Sequence, residues 1–374
     1  MAYLLPEARS ANSHGVLGWL TGPWMGYRLF EYYRPVTSLA LYGEYRLFGE
    51  QSAGWQVVSL ILHMSSTAML ATLCRRVFSS GLAALVGAGV WGFRDRQWDA
   101  IAWTPAQTDL LAGFFALACL LSLAIFLDSA GAKWLICAAV SGILSVGSKE
   151  AALVLPLLAS LLILRNPSQS RRTHWRMIGG AWLLAFVFFV WRYHALGGLG
   201  FTPGQVSAHS GGGRLRPDQI LSHLWSFLLP APLGSAAVVS AGACPALFAS
   251  LLLIAELRRR RLPRLWLLAA GAAAFLLVTV FLGGPEWWLV LQTYESLLAG
   301  IFCISLLALT VIWRPYDSLF VLGWGVCAWL PLYHIVYNVA GNVSYLADTY
   351  WALAWSALIA AVLRKGRLLL LFSS

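Results

Sequence analysis

The sequence predicts an all-α polytopic membrane protein, and three observations carry that prediction. Of its 374 residues, 59% are hydrophobic and only 11% charged, whereas soluble domains carry about a quarter charged residues. Apolar runs of a length that lets a helix cross the hydrocarbon core recur from Trp55 to Leu363. Those runs are unbroken stretches of Leu, Ala, Val and Trp, not the short alternating segments of a transmembrane β-barrel.

The first element is a helix that does not cross. In YYRPVTSLALYGEYRLFG, from Tyr32 to Gly49, Pro35 suits a first helical turn, where a missing N–H costs nothing. Leu39, Leu41, Tyr42, Tyr45, Leu47 and Phe48 give a broad apolar face, with Glu44 and Arg46 expected off it. Such a helix lies in the membrane interface. Residues 1–54 therefore read as an external N-terminal region, and 55–374 as the transmembrane domain. No cleavable signal peptide is expected in Met1 to Ser10, which contains Pro6, Glu7 and Arg9 and has no apolar core.

About eleven spans follow, at roughly 55–74, 79–94, 108–127, 133–147, 151–164, 177–195, 234–256, 265–282, 291–313, 317–336 and 346–363. The connections sort by charge. Arg75-Arg76, Lys133, Arg165 with Arg171, Arg172 and Arg176, Arg258 to Arg261, Arg314, and Arg364 with Lys365 occupy alternate loops, which assigns those loops to the cytoplasm. The opposite loops hold most of the acids, including Glu7, Glu31, Glu44, Glu50, Asp95, Asp99, Glu150, Asp218 and Glu286. Parity then expects the N-terminus outside and the C-terminus inside. This sidedness accounts for the net charge of +11 without nucleic acid as a partner. The six cysteines form no CxxC and no Cys/His cluster, so neither a disulfide framework nor a metal site is expected. The largest external loop, about 195–232, contains HSGGGRLRP, read either as a glycine-built phosphate nest or as an ordinary connecting loop. Asn342-Val343-Ser344 is a glycosylation sequon.

Ionisable groups at membrane depth are costly, which makes each a candidate for function. Lys149-Glu150 stands where one span ends and the next, containing Pro156, begins. It reads either as a helix-terminal pair, with Glu150 favourable at a helix N-terminus, or as the floor of an external pocket. GFRDRQWDAIAWTPAQTDLLAGFF, from Gly92 to Phe115, carries Arg94, Asp95, Arg96, Asp99 and Asp109 beside Trp98 and Trp103. Solvated ion pairs and an aromatic belt are one reading, a site lined by Asp109 the other. Arg34 precedes Pro35 and follows Tyr32-Tyr33; a guanidinium there snorkels to ordinary headgroups or grips a lipid phosphate through parallel hydrogen bonds. His63, within LILHM, is either a hydrogen-bonded core residue or part of a site.

In order, YYRPVTSLALYGEYRLFG, LILHM with CRR, DAIAWTPAQTDLLAGFFALACLL and SKEAALVLPLLASLL resemble the integral-membrane glycosyltransferases of the C superfamily (the GT-C fold). The closest likeness is to the membrane part of the tetratricopeptide-linked O-mannosyltransferases and their bacterial relatives. Dolichyl-phosphate-mannose protein mannosyltransferases and lipid A aminoarabinose transferases are more distant. The likeness is strongest from about Ala11 to Leu164. It implies a multi-pass protein of a bacterial inner membrane with an external active site. The donor would be a sugar on a polyprenyl phosphate and the acceptor a protein or lipid hydroxyl. Arg34 would hold the donor phosphate, and His63, Asp109, Lys149 and Glu150 would line the site.

The sequence also departs from that pattern. The family's preceding span and acidic pair have no counterpart at Met1-Ala2-Tyr3, Arg94 to Asp99 lacks the family's histidines, and Gln107 stands where an Arg is usual. Two expectations compete: an enzyme whose first helix precedes this sequence, or a retired transferase fold serving as a scaffold or lipid-binding subunit among other membrane subunits. For an active chain, Glu31, Asp95 and Asp99 are the candidate bases, since transfer to a hydroxyl benefits from a positioned carboxylate.

Overall fold

A computed structural model describes residues 13–26, 32–93, 95–166, 170–198, 315–329 and 345–371. The chain divides into two compact units, Met1–Arg216 with Phe320–Ala360, and Pro217–Leu319 with Ala361–Ser374. The helices that build the site belong to the first. The spans expected at 234–256, 265–282 and 291–313, the loop beyond residue 198, Glu31, Arg94 and the Asn342 sequon lie outside the described residues.

Among the described residues the regular structure is helical, without strands. A short helix α1 (Ser13–Thr21) and a 3₁₀ turn (Trp24–Gly26) lead into α2 (Pro35–Phe48). Then come α3 (Ser52–Phe78), α4 (Gly81–Gly92), α5 (Asp95–Ala102) and a 3₁₀ turn (Thr104–Ala106). Next are α6 (Gln107–Ser129), α7 (Ala132–Ser148), a 3₁₀ stretch (Glu150–Val154), α8 (Leu155–Arg165) and α9 (Arg171–Leu196). Two later helices are α10 (Pro315–Trp329) and α11 (Thr349–Leu371).

Among the described residues, three helices are long and apolar enough to cross a membrane: Ser52–Phe78, Thr104–Ser129 with its leading turn, and Arg171–Leu196. The expected span at 79–94 shortens to the 12 residues of α4, which rise only about 18 Å against a core of about 30 Å. The expected span at 151–164 divides into a 3₁₀ stretch and the 11-residue α8. Pro156 stands in the first turn of α8, where it removes no helical hydrogen bond.

Helices α3 and α6 run parallel, because polar contacts join them at both ends. At their N-terminal ends, Gln107 donates to the Trp55 carbonyl and to Ser59 Oγ. At the opposite ends, Arg76 donates to Asp128, and Arg165 of α8 donates to the Val77 carbonyl. Helix α7 returns along α6, and Ser145 Oγ donates to the Ala112 carbonyl at 2.8 Å. Small residues let these helices approach, as they do generally in membrane bundles. A Cβ on Gly87 of α4 would collide with the Ala352 carbonyl of α11, and one on Gly147 of α7 would fall 2.8 Å from Val36. The second contact is what lets the surface helix α2 sit against the end of α7.

The face that α2 buries differs from the expected one. Thr37, Ser38, Leu41 and Glu44 are buried, while Leu39 and Leu47 are exposed. At 3.6 residues per turn, Thr37, Leu41 and Glu44 share one stripe. Glu44 belongs to it because Gln107 offers an amide there: Nε2 donates to Glu44 Oε2 at 2.9 Å. Leu39 and Leu47 lie on the opposite side, outside the protein core.

Candidate functional site

The start of α2, the start of α6, the end of α7 and the end of α9 meet at one end of the unit. Arg34 is the residue before α2, and its backbone is not helical. Its guanidinium lies over two rings, with Cζ 4.2 Å from the centre of Tyr32 and 5.2 Å from that of Trp24. Both Nε and Nη2 donate to the same oxygen, Glu150 Oε2, at 3.0 and 2.8 Å. The side chains are 10% and 20% exposed, so the pair is sheltered.

Lys149 and Asp109 form a second pair alongside. Nζ donates to Oδ1 at 2.5 Å and Oδ2 at 2.7 Å, with 13% and 4% of the two side chains exposed. Asp109 occupies the first turn of α6, where the helix dipole favours a carboxylate. Lys149 and Glu150 project from the junction between α7 and the 3₁₀ stretch. Thr37 of α2 closes the junction by donating to the Ser148 carbonyl at 2.9 Å. The four charged residues Arg34, Asp109, Lys149 and Glu150 are thus neighbours, although they come from three separate stretches of the sequence.

A fifth charge joins them. Arg192, at the end of α9, is buried and lies within electrostatic reach of both Glu150 and Arg34. On α9 the buried residues are Ile178 and Arg192, whereas Trp182, Phe186 and Trp191 are exposed. That inversion is natural for a helix against lipid, and it makes the inward Arg conspicuous. The sequence signal for it is WRYH inside an apolar run, a pattern shared by any span that ends in a basic residue. Burial, the largest single influence, pushes the Glu150 carboxyl up. The charge and hydrogen bonds of Arg34, with a backbone hydrogen bond and the charge of Arg192, together outweigh burial and hold it below the usual range.

Trp191 Nε1 donates to Tyr33 Oη at 2.7 Å, and Tyr33 donates to the Leu20 carbonyl at 2.6 Å. This relay ties α9 and α1 to the residue preceding Arg34.

The remaining candidates are placed elsewhere. His63 packs against Trp91 and Tyr345. Its Nε2 meets the Gly92 carbonyl and its Nδ1 the Tyr345 hydroxyl, both at 2.9 Å. A carbonyl only accepts, so in the neutral ring Nε2 carries the proton and Nδ1 accepts from Tyr345. Both nitrogens are committed, and His63 acts as a core residue rather than lining this cluster. Asp95 and Asp99 lie on α5, with their side chains outside the described set. Gln107 and Glu44 form the adjoining neutral-to-acidic contact. Burial drives the Glu44 carboxyl up to about 7, and its hydrogen bond from Gln107 only partly opposes this.

No family model, curated protein or solved structure matches this chain.

Proposed function

We propose that the chain is a GT-C-like membrane glycosyltransferase. In this reading it moves a sugar from a polyprenyl-phosphate donor to a protein or lipid hydroxyl on the external face. The observation that carries the proposal is the placement of Arg34 at the start of the surface helix. It is clamped by aromatic rings, with Arg192 close by and Glu150 at its edge. Arg side chains are suited to binding phosphate through paired donors, and the rings keep the guanidinium in place. The basic groups at the opposite end, Arg75, Arg76 and Arg165, support putting that end in the cytoplasm. The base would come from Glu31, Asp95 or Asp99. Asp109 is already neutralised by Lys149, and Glu150 by Arg34.

That same closure of the site carboxylates favours a second reading, a non-catalytic subunit of the same fold that binds lipid phosphate without turnover. Transfer from a radiolabelled polyprenyl-phosphate sugar in proteoliposomes separates the two. Enzymatic function requires turnover by the wild-type chain and loses it on Arg34→Ala. Turnover indifferent to that change would sink the role given to Arg34. Binding of the donor with no turnover in any acceptor mixture would favour the subunit.

A further inference from the structure

Helix α9 differs from the other helices of crossing length in what surrounds it. Only 6% of its apolar stretch is buried within the protein, against 39% for Ser52–Phe78 and 67% for Thr104–Ser129. Its buried residues, Ile178 and Arg192, fall on one side. At 3.6 residues per turn, the opposite side carries Arg172, Arg176, Gly179, Gly180, Leu183 and Val187, all exposed. A Cβ on either glycine would meet nothing within 4 Å, so the stripe dips into open space beyond the two arginines. Trp175 and Trp182, both exposed, stand along one edge of this dip.

The two arginines are badly placed for the helix itself. Its first turn holds no acid, and cations at a helix N-terminus oppose the dipole. Arg172 and Arg176 also form a like-charge pair at i, i+4, which repels. Ser170 caps the helix by accepting from the Thr173 N–H, but that leaves the charge unanswered. Among the described residues the ion pairs are Arg34–Glu150, Arg76–Asp128 and Lys149–Asp109. Neither Arg172 nor Arg176 takes part in one.

We propose that the outer face of α9 seats an anionic glycerophospholipid, with Arg172 and Arg176 on its headgroup phosphate and an acyl chain along Gly179, Gly180 and Leu183. The inference is independent of the role given to Arg34. Guanidinium groups present paired donors to phosphate oxygens. One bound anion relieves both the repulsion between the arginines and their unfavourable place on the dipole. The apolar surface that follows them along the helix matches a hydrocarbon chain, and tryptophan rings suit the level between headgroups and chains. A zwitterionic lipid brings the same phosphate with an ammonium beside it, so it offers the two arginines less.

The test titrates the full chain in detergent micelles with phosphatidylglycerol, and in parallel with phosphatidylcholine, counting bound lipid by native mass spectrometry. Wild type is expected to prefer phosphatidylglycerol. The double variant Arg172→Gln/Arg176→Gln is expected to lose affinity for it on the order of thirtyfold, down to the level of phosphatidylcholine. In lipid-free micelles that variant should unfold no earlier than wild type, because it removes a repulsion; lost binding is then not lost folding. Gly179→Leu/Gly180→Leu keeps both charges but fills the dip, and is expected to weaken phosphatidylglycerol as well. Arg75→Gln, at the end of α3, should leave the affinity unchanged. Phosphatidylglycerol affinity that survives the double arginine change, or falls equally with Arg75→Gln, overturns the proposal. Affinity indifferent to the glycine pair shows attraction to surface charge alone and overturns the seat.

Discussion

The two ends of the helical unit use the same chemistry in different surroundings. At one end, Arg34–Glu150 and Lys149–Asp109 join four separate elements with between 4% and 20% of each side chain exposed. At the other, Arg76–Asp128 joins α3 to α6 with 37% and 50% exposed. Sheltered charges have lost most of their water, so each depends on its partner. The exposed pair keeps solvent as a substitute, and its contribution is small. An ion pair at the first end therefore fixes geometry, while the pair at the second decorates the end of two helices already packed together.

The largest effect that would break this contrast is removal of one sheltered partner. Lys149→Met leaves Asp109 without its cation and is expected to cost about 3–5 kcal/mol, read by thermal unfolding in detergent. Adding Asp109→Leu should recover most of that loss. If the single change is as mild as an exposed one, the two ends do not differ.

An intermediate effect comes from Glu44, a sheltered carboxylate facing an amide instead of a cation. Its carboxyl is raised from 4.5 to about 7 by burial, against the Gln107 hydrogen bond. A raised carboxyl binds more protons in the folded state, so stability is full below pH 4.5 and declines as pH rises to about 7. The whole decline amounts to about 3 kcal/mol. Glu150, held below the usual range, acts under this window. Glu44→Gln keeps an acceptor for Gln107 and should flatten the profile between those two pH values. An unaltered slope in the variant would assign the titration to another group.

The smallest effect is expected at the exposed end. Arg76→Ala should change stability by about 0.2–1 kcal/mol, and added salt should shrink the difference further. A loss as large as that of Lys149→Met would show Arg76–Asp128 to be part of the framework.

Much of the site was legible before any fold was known. Asp109, Lys149 and Glu150 each carry a charge beside a long apolar run, Arg34 stands between an aromatic pair and Pro35, and the structure brings all four together. Arg192 and Glu44 were not recognised, for opposite reasons. Arg192 looked like the end of a span, because the inward direction of one residue on an apolar helix follows from its neighbours. Glu44 was assigned outward because an acid ordinarily avoids a core, and only Gln107, 63 positions away, reverses that preference. His63 was marked as a possible site residue, yet Tyr345, 282 positions away, and the Gly92 carbonyl satisfy it in the core.

The sequence by itself determined the helical class, the apolar runs of crossing length and the break at Arg34-Pro35, since all three depend on local composition and backbone chemistry. Which charges pair, and which face of α2 is buried, were decided only by tertiary structure. A charge at a helix end can be satisfied by water, headgroup or protein, and the choice rests on what the fold brings within about 3 Å. For Arg34 the fold brings Glu150 and two aromatic rings, turning a snorkelling position into a held guanidinium.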